Sequence, residues 1–167
     1  REGQRLSFRL VATGTDPTRR ALATWLQRQW AEIGVEVQLE LEQWSDVRRR
    51  ATETRDFDAL LLGVRWDLDP DQSIVWSSDS IYDGLNMGHY TNAELDALLA
   101  QAVAITNREE RLARYQQVQE IILRELPVLP LCFPKLTVLW SDRIEAPPLS
   151  ATALRLRYGV EQWRLRL

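Results

Sequence analysis

The sequence predicts an α/β domain whose core is a parallel sheet. Alternating apolar residues mark strands at residues 6–12 and 35–41, and a continuous apolar run marks a third strand at residues 59–64. Apolar residues at helical spacing separate the three strands. Strand–helix–strand units of this kind cross over in the right-handed sense and give parallel neighbours. With the first strand in the centre, the predicted strand order is 2-1-3.

Residues at both ends of the first helix favour its start and its end. Asp16 is a good N-cap because its carboxylate accepts a hydrogen bond from a free amide of the first turn, and Pro17 has no amide to leave unpaired. Gly34 favours the left-handed conformation that ends many helices. The helical spacing predicts an inward face formed by Leu22, Trp25, Leu26, Gln29, Trp30 and Ile33.

The second and third strands differ in their predicted surroundings. Acidic and amide side chains alternate with apolar ones up to residue 42, which predicts an edge strand with one solvated face. A polar helix is predicted from Ser45 to about Arg55, with its arginine run at 48–50 on a solvated face. Residues 59–64 lack polar alternation, which predicts a central strand covered by helices on both faces.

The C-terminal half of the sequence predicts two helices. Thr91 and Glu94 have the spacing of a capping box at the start of one helix, and Asn107 and Pro127 bound the other. The predicted inward residues are Leu95, Leu98, Leu99, Ala102 and Ile105 in the first helix and Leu112, Tyr115, Val118, Ile122 and Leu126 in the second.

The segments around these helices predict less regular structure. Residues 72–90 carry turn signals and are predicted to be irregular, whereas residues 128–140, interrupted by two prolines, are predicted to form two short extended pieces. Pro147 and Pro148 mark a linker at residues 145–150. We therefore assign residues 1–147 to one lobe and residues 148–167 to a C-terminal tail.

Composition and charge argue against several classes of function. The net charge of −3 disfavours binding to nucleic acid, whose phosphates require a basic surface. No apolar run approaches the roughly 20 residues that span a bilayer. Cys132 is the only cysteine, which excludes a disulfide framework, and its apolar neighbours predict a buried side chain. The chain starts at Arg1 and has one methionine, Met87, so we expect a processed or excised piece.

The C-terminal ends of the first and third strands are the predicted ligand edge. The two crossovers leave the first strand in opposite directions and open a crevice between residues 13–16 and 65–71. At this edge Asp67, flanked by Arg65 and Trp66, can hold a cationic or polar ligand. The alternatives are that Asp67 caps a helix or pairs with Arg65, and that Trp66 fills the core.

The alternation of Asp67, Asp69 and Asp71 raises the alternative of a metal site. A calcium loop also requires a glycine and a bidentate glutamate, and the chain has Gln72 and Ser78 at those positions. Asp67 and Asp69 match the acidic pair that holds a divalent metal in some sugar-nucleotide transferases. A small metal-dependent α/β enzyme is therefore the alternative function. The sequence has no glycine-rich phosphate loop or nucleophile elbow and predicts no cofactor.

A series of short motifs runs through the chain. They are Ile33-Gly34-Val35-Glu36-Val37, Trp44, Phe57-Asp58, Trp66-Asp67-Leu68-Asp69-Pro70, Tyr90-Thr91-Asn92-Ala93-Glu94-Leu95-Asp96-Ala97-Leu98-Leu99, Arg111 with Tyr115, and Leu126-Pro127-Val128-Leu129-Pro130-Leu131. In this order and spacing, the motifs resemble the family 5 extracellular solute-binding proteins, which are the oligopeptide, dipeptide and nickel receptors of ABC importers. The resemblance covers residues 3–147.

The resemblance implies a receptor with two lobes. Members of the family are considerably longer, with two lobes joined by a hinge and a ligand enclosed between them, and this chain is similar to most of the second lobe. The missing N-terminal lobe is then one partner, and a membrane permease that receives the cargo is another. The family is extracytoplasmic, either periplasmic or at the cell surface, and often lipid-anchored. The resemblance implies transport without catalysis.

The resemblance also implies roles for the residues after the third strand. In peptide-binding members an aspartate in this loop pairs with the ligand's α-amino group, and Asp67 matches it by its place in the chain. Trp66 would then form an apolar wall, with Arg65 and Asn86 as secondary polar contacts. Several relatives carry a tryptophan where this chain has Val64, and relatives that bind sugars or metal chelates share the scaffold. The predicted ligand is a peptide or a similar small solute.

Overall fold

The computed structural model of the chain describes residues 5–64, 69–135, 139, 141–145 and 163–165. The first half contains β1 (Ser7–Thr13), α1 (Pro17–Glu32), β2 (Glu36–Glu42), α2 (Trp44–Arg49), which continues into a π-helical turn (Arg50–Thr54), and β3 (Ala59–Leu61). The second half contains α3 (Ser73–Trp76), α4 (Ser80–Asp83), α5 (Ala93–Ala104), α6 (Arg108–Glu125), β4 (Ile144–Glu145) and β5 (Arg164–Leu165).

β1 is the centre of a three-stranded parallel sheet with the predicted order β2-β1-β3. Leu10 pairs with Leu39 of β2 on one side and with Ala59 of β3 on the other. Residues 10–13 of β1 are buried because this strand is paired along both edges and helices cover it. β2 lies at one edge of this sheet, as its alternating pattern predicted.

The prediction of a central third strand is wrong for this sheet. β3 contains three residues and lies at the edge opposite β2. Leu61 is buried, whereas Val64 is 57% exposed. The continuous apolar run at 59–64 therefore does not reflect cover on both faces along its whole length, because the chain leaves the ladder after Leu61.

The two ends of α1 are those that the sequence predicted. The Asp16 carboxylate accepts hydrogen bonds from the amides of Thr18 (2.9 Å) and Arg19 (3.1 Å). Gly34, just past the helix, has a φ of +83°, a conformation that glycine adopts without steric cost. Both terminal signals are therefore confirmed.

The predicted inward face of α1 is broader than the observed one. Ala23 and Leu26 are buried against the sheet, and the ring of Trp30 meets that of Phe8 edge-on at a centroid distance of 5.2 Å. Trp25, in contrast, is 55% exposed. A helix on a narrow sheet buries only the strip of residues that faces the strands, so the outer part of the predicted face lies in solvent.

On the other face of the sheet, Glu36 and Gln38 are exposed as predicted, whereas the end of β2 carries a charge network. Arg50 Nη1 lies 2.7 Å from Glu40 Oε2, and Arg50 Nη2 lies 2.6 Å from Glu42 Oε1. The Arg50 side chain is 19% exposed, so the last member of the predicted solvated arginine run is a largely buried ion-pair partner. α2 begins at Trp44, one residue before its predicted start, and Arg55 follows the π-helical turn with a φ of +56°.

α5 and α6 form the predicted pair of helices, with a hydrophobic core of their own. Asn92 caps α5 by accepting the Leu95 amide at 2.9 Å, and Asn107 caps α6 by accepting two amides of its first turn. The predicted capping box at Thr91 is therefore one residue too early. The buried residues of this core are Trp76, Leu95, Leu99, Ala102, Tyr115, Val118 and Ile121.

The buried stripe of α6 differs from the predicted one near its two ends. Leu112 and Leu126 are exposed, and Ile121 is buried. Leu126 follows the helix in the left-handed conformation, with a φ of +48°. Because α6 packs against α5 along one side, only a narrow stripe of its surface is buried.

Residues 72–90, predicted to be irregular, form the one-turn helices α3 and α4. α3 places Trp76 in the core of the helical pair. The Arg55 guanidinium donates a hydrogen bond to the Ile81 carbonyl of α4 at 2.6 Å. The segment therefore contacts both the π-helical turn that precedes β3 and the pair formed by α5 and α6.

The chain after α6 has little regular structure in its described part. Residues 127–135 contain no strand, and the rest of the predicted extended region lies mainly outside the described residues. Cys132 is exposed, which corrects its predicted burial, because the described residues do not cover this segment. β4 and β5 form an antiparallel pair with Ile144 opposite Leu165, whereas the predicted boundary at 147 lies outside the described residues. None of the described helices has the length and apolar character needed to cross a membrane.

Candidate functional site

The loops after β1 and β3 lie close together at the C-terminal edge of the sheet. The Gly14 amide donates to the Glu42 carbonyl at 2.8 Å, and Arg20 Nε donates to the Gly14 carbonyl at 2.9 Å. Arg19 reaches the loop after β3, since a Cβ placed on Gly63 would lie 3.4 Å from Arg19 Nη2. The first turn of α1 therefore contacts both loops of the predicted ligand edge.

Three of the four predicted ligand residues lie outside the described residues. These are Arg65, Trp66 and Asp67, and their contact roles stay predictions. The residues that flank this segment, Val64 and Asp69, are both exposed. The described residues on either side of positions 65–68 are therefore solvent-accessible.

The Asp69 carboxylate joins the acidic segment to α6. Asp69 Oδ1 accepts hydrogen bonds from the Asp71 amide at 2.9 Å and from Arg111 Nη2 at 2.7 Å. The Asp71 amide has the largest effect on the pKa of Asp69 and lowers it, and Arg111 lowers it further. Asp69 is therefore ionised at neutral pH, with a guanidinium against it.

Arg111 is itself supported on α6. Its Cζ lies 5.6 Å from the centroid of the Tyr115 ring, one turn further along the helix, in a cation–π contact. Tyr115 is buried in the core of the helical pair, so Arg111 stands on a well-packed part of the helix. Sequence reasoning noted Arg111 and Tyr115 as one motif but missed the pairing with Asp69, which lies 42 residues away in the chain.

The two described aspartates of the possible metal site are engaged with protein donors. Asp71 Oδ1 accepts the Ser73 amide at 3.0 Å and the Ser73 hydroxyl at 2.7 Å, while Asp69 pairs with Arg111. Within the described residues, no three potential metal-ligating side chains come together. A cation at Asp69 would have to compete with the guanidinium, so this arrangement does not favour the metal alternative.

Asn86, the fourth predicted ligand residue, organises its own loop. Its side chain donates from Nδ2 to the carbonyls of Ser77 (3.0 Å) and Tyr90 (2.8 Å), and its Oδ1 accepts the Tyr90 amide at 3.0 Å. The residue is 3% exposed. Both amide hydrogens are used within the loop, which leaves one lone pair of Oδ1 for any other partner. A direct contact with a ligand stays a prediction.

A polar cluster that the sequence did not indicate closes the helical pair. Tyr90 Oη donates to Glu125 at 2.5 Å, and Asn92 Nδ2 donates to both carboxylate oxygens of Glu125 at 2.9 and 3.1 Å. The Tyr90 hydroxyl, and then the Asn92 amide, lower the pKa of Glu125. The cluster connects Glu125 at the end of α6 with Tyr90 and Asn92, which precede α5. The backbone of Tyr90 also hydrogen-bonds with the Asn86 side chain.

Known proteins with similar sequences bind solutes. The chain is 30% identical to the oligopeptide-binding protein AppA of Bacillus subtilis over 166 residues, which are 99% of this chain and 30% of that protein. It is 32% identical to heme-binding protein A of Haemophilus influenzae over 153 residues, or 90% of this chain and 28% of that protein. No protein-family model matches the chain.

Solved structures with the same fold include AppA from Bacillus subtilis in complex with a nonapeptide. The match has a TM-score of 0.75 at 26% identity and covers 100% of this chain and 33% of that one. NikZ from Campylobacter jejuni in complex with Ni(L-His) has a TM-score of 0.67 at 28% identity, covering 76% of this chain and 26% of that one. The chain thus spans about 30% of the length of the sequence relatives named here. The order β2-β1-β3 with its helices matches a lobe of a periplasmic binding protein. The relatives and solved structures that this chain resembles are therefore family 5 solute-binding proteins, and the likeness extends over about a third of their length or less.

Proposed function

We propose that this chain is the C-terminal lobe of a two-lobed receptor that binds peptides or similar small solutes and delivers them to the permease of an ABC importer. The observation that carries the proposal is the match to the oligopeptide-binding protein AppA along 99% of this chain. The solved AppA structure that contains a nonapeptide also covers the whole of this chain. The receptor works outside the cytoplasm, in the periplasm or anchored by a lipid at the cell surface.

The ligand lies at the C-terminal edge of the sheet. Asp67 pairs with the ligand's charged end, Trp66 forms an apolar wall, and Arg65 and Asn86 add polar contacts. A charge-assisted hydrogen bond of this kind contributes about 1.5–3 kcal/mol. The proximity of the loops after β1 and β3 supports this placement, since parallel sheets bind ligands where such loops diverge.

A second, N-terminal lobe completes the cleft. Binding sites for small molecules bury roughly 70–90% of the ligand surface, and the edge of one sheet supplies a single wall. Closure of two lobes about a hinge provides the other wall and presents a closed, loaded state to the permease. One lobe alone therefore binds ligand weakly.

The proposed function is binding without catalysis. The relatives named above are binding proteins, and none of them supports the metal-dependent enzyme considered from Asp67 and Asp69. The pairing of Asp69 with Arg111 also argues against a divalent metal at that carboxylate. Micromolar metal binding by the chain, abolished in Asp69→Asn, would reverse this conclusion.

Native mass spectrometry of the full-length protein, before and after mild unfolding, tests the proposal. We expect a released set of peptide masses that is lost in Asp67→Asn and retained in Asp83→Asn, a control that removes an exposed carboxylate from α4. Masses spaced by hexose units, or a metal chelate, would keep the receptor and overturn the peptide assignment. An empty protein that binds nothing from a panel of peptides, sugars and chelates would overturn the receptor itself.

A further inference from the structure

The outer face of α1 carries an exposed tryptophan between two arginines. We propose that this face is the surface on which the permease of the importer docks, through an acidic loop that carries an apolar side chain. The inference rests on the proposed function, because it names the surface that the receptor uses to reach its permease. It depends on none of the predicted ligand residues.

The tryptophan lines an open groove on this face. Trp25 is 55% exposed, although its neighbour Leu26 is buried against the sheet. The groove has a volume of about 390 Å³ and is lined by Pro17, Arg20, Ala21, Thr24, Trp25 and Arg28. None of these lining residues is acidic, and the two arginines lie on either side of Trp25 along the helix. The groove therefore offers an apolar surface and two cations to another molecule.

Net charge sets α1 apart from the rest of the chain. Three arginines and one glutamate give α1 a net charge of +2, whereas the whole chain carries −3, so the remaining residues carry −5. Residues 17–31 contain no aspartate or glutamate. A basic face on an acidic protein attracts and orients a partner with the opposite charge. The partner that fits this face is therefore acidic.

The two arginines of the groove keep their charges available to a partner. Arg20 Nε donates to the Gly14 carbonyl at 2.9 Å, so a neutral acceptor holds this guanidinium in place. Arg28 is exposed, and its guanidinium forms no ion pair or hydrogen bond with another described residue. Carboxylates of a docked loop can pair with both arginines, and the loop meets one of them already held in position.

The packing of α1 favours a protein partner over a lipid surface. A helix that lies in a membrane interface buries a broad apolar face among the lipids. The apolar face of α1 packs on the sheet through Ala23 and Leu26, and Trp25 is the one large apolar side chain of this helix that is more than half exposed. A single indole with arginines beside it is typical of protein interfaces, where tryptophan and arginine contribute much of the binding energy.

The charge and the position of the groove favour the permease over the second lobe of the receptor. Permanent contacts are largely apolar and poor in charged residues, whereas transient contacts are more polar. Two of the six lining residues are arginines, which fits a contact that forms and separates. α1 also begins at the ligand edge, where Arg20 contacts the loop after β1. A permease docked here would lie beside the place from which the ligand leaves.

The test measures binding of the full-length receptor to nanodiscs of phosphatidylethanolamine and phosphatidylglycerol, with and without the purified permease. Trp25→Ala removes the indole, and Arg28→Glu reverses the unpaired charge. Tyr82→Ala and Arg108→Glu are the matched controls, because they change an exposed aromatic side chain on α4 and an exposed arginine on α6. Biolayer interferometry at low and at high salt measures the affinity. A photoreactive benzoylphenylalanine in place of the exposed Ala21 identifies what lies in the groove.

We expect affinity for the permease nanodiscs to fall at least about tenfold in Trp25→Ala and in Arg28→Glu, and to stay within about twofold in both controls. High salt should weaken the unsubstituted receptor more than Arg28→Glu, because the variant has lost the attraction that salt screens. The cross-link from position 21 should reach an acidic extracytoplasmic loop of a permease subunit. Both substitutions alter exposed side chains, so the variants should unfold at the same urea concentration as the unsubstituted receptor within error.

Unchanged affinity in Trp25→Ala and Arg28→Glu, with a receptor that still binds its permease, would overturn the groove as the docking surface. Binding to empty nanodiscs that these substitutions remove would assign the groove to lipid instead. A cross-link from position 21 to the receptor's own N-terminal lobe would assign it to that lobe. Failure of the unsubstituted receptor to bind permease nanodiscs would overturn the proposed delivery to a permease, and the inference with it.

Discussion

Replacement of Asn86 by alanine separates a supporting role for this residue from a direct contact with the ligand. The Asn86 side chain makes three hydrogen bonds, two to carbonyls of Ser77 and Tyr90 and one from the Tyr90 amide. Alanine removes all three and leaves their backbone partners without the side chain that satisfies them. At about 1 kcal/mol for each hydrogen bond, the loop should lose about 3 kcal/mol of local stability.

Amide hydrogen exchange of the full-length protein measures this loss directly. A change of about 3 kcal/mol corresponds to roughly 140-fold faster opening. The reporters are the Tyr90 amide and the Leu85 amide, which donates to the Ile74 carbonyl at 2.7 Å. Gln101→Ala, on the exposed side of α5, is the control and should leave both amides within about twofold.

The opposite result would refute the supporting role. If exchange at Tyr90 and Leu85 stayed within about threefold in Asn86→Ala while ligand affinity fell, the three hydrogen bonds would contribute little to the loop. The direct ligand contact predicted from the sequence would then be the better account of Asn86.

Two further predictions concern the helical pair. Leu99→Ala should lower the free energy of unfolding by about 2–5 kcal/mol because Leu99 is fully buried, whereas Leu112→Ala, at an exposed site, should change it by less than about 0.5 kcal/mol. Urea unfolding followed by circular dichroism measures both, and equal losses would contradict the observed core. The pKa of Glu125 is lowered in the folded chain, so its stabilising effect is complete above its ordinary value of 4.5 and disappears as pH falls through the lower folded value. The urea concentration at half unfolding should therefore decrease as the pH is lowered below 4.5, and Glu125→Gln should reduce this decrease. A variant with the same pH dependence as the unsubstituted protein would count against the cluster.

Local patterns predicted the order of the sheet and the ends of most helices. The alternation of strands and helices leads to β2-β1-β3 because right-handed crossovers leave few other arrangements. Asp16, Gly34 and Asn107 bound their helices as expected, since a cap acts within one turn of its own residue. The capping box at Thr91 failed because Asn92, the next residue, offers a competing acceptor.

Burial was predicted less well because it depends on neighbours that are distant in the chain. Trp25 lies on a helical stripe that is apolar in sequence, but the narrow sheet leaves it exposed. Glu40 and Glu42 alternate as solvated residues do, yet both pair with Arg50 from the next helix. A periodic pattern locates a face, and the tertiary structure decides what covers that face.

The sequence by itself determined the class of fold, the motifs that resemble a family of solute-binding proteins, and the acidic segment at the end of the third strand. These features lie in short stretches of chain, where spacing and residue type are sufficient. Only the tertiary structure decided that Asp69 pairs with Arg111 and that the Asn86 amide is used within its own loop. The first pairing joins residues 42 positions apart, and the Asn86 contacts depend on the folded path of residues 77–90, so neither leaves a periodic signal in the sequence.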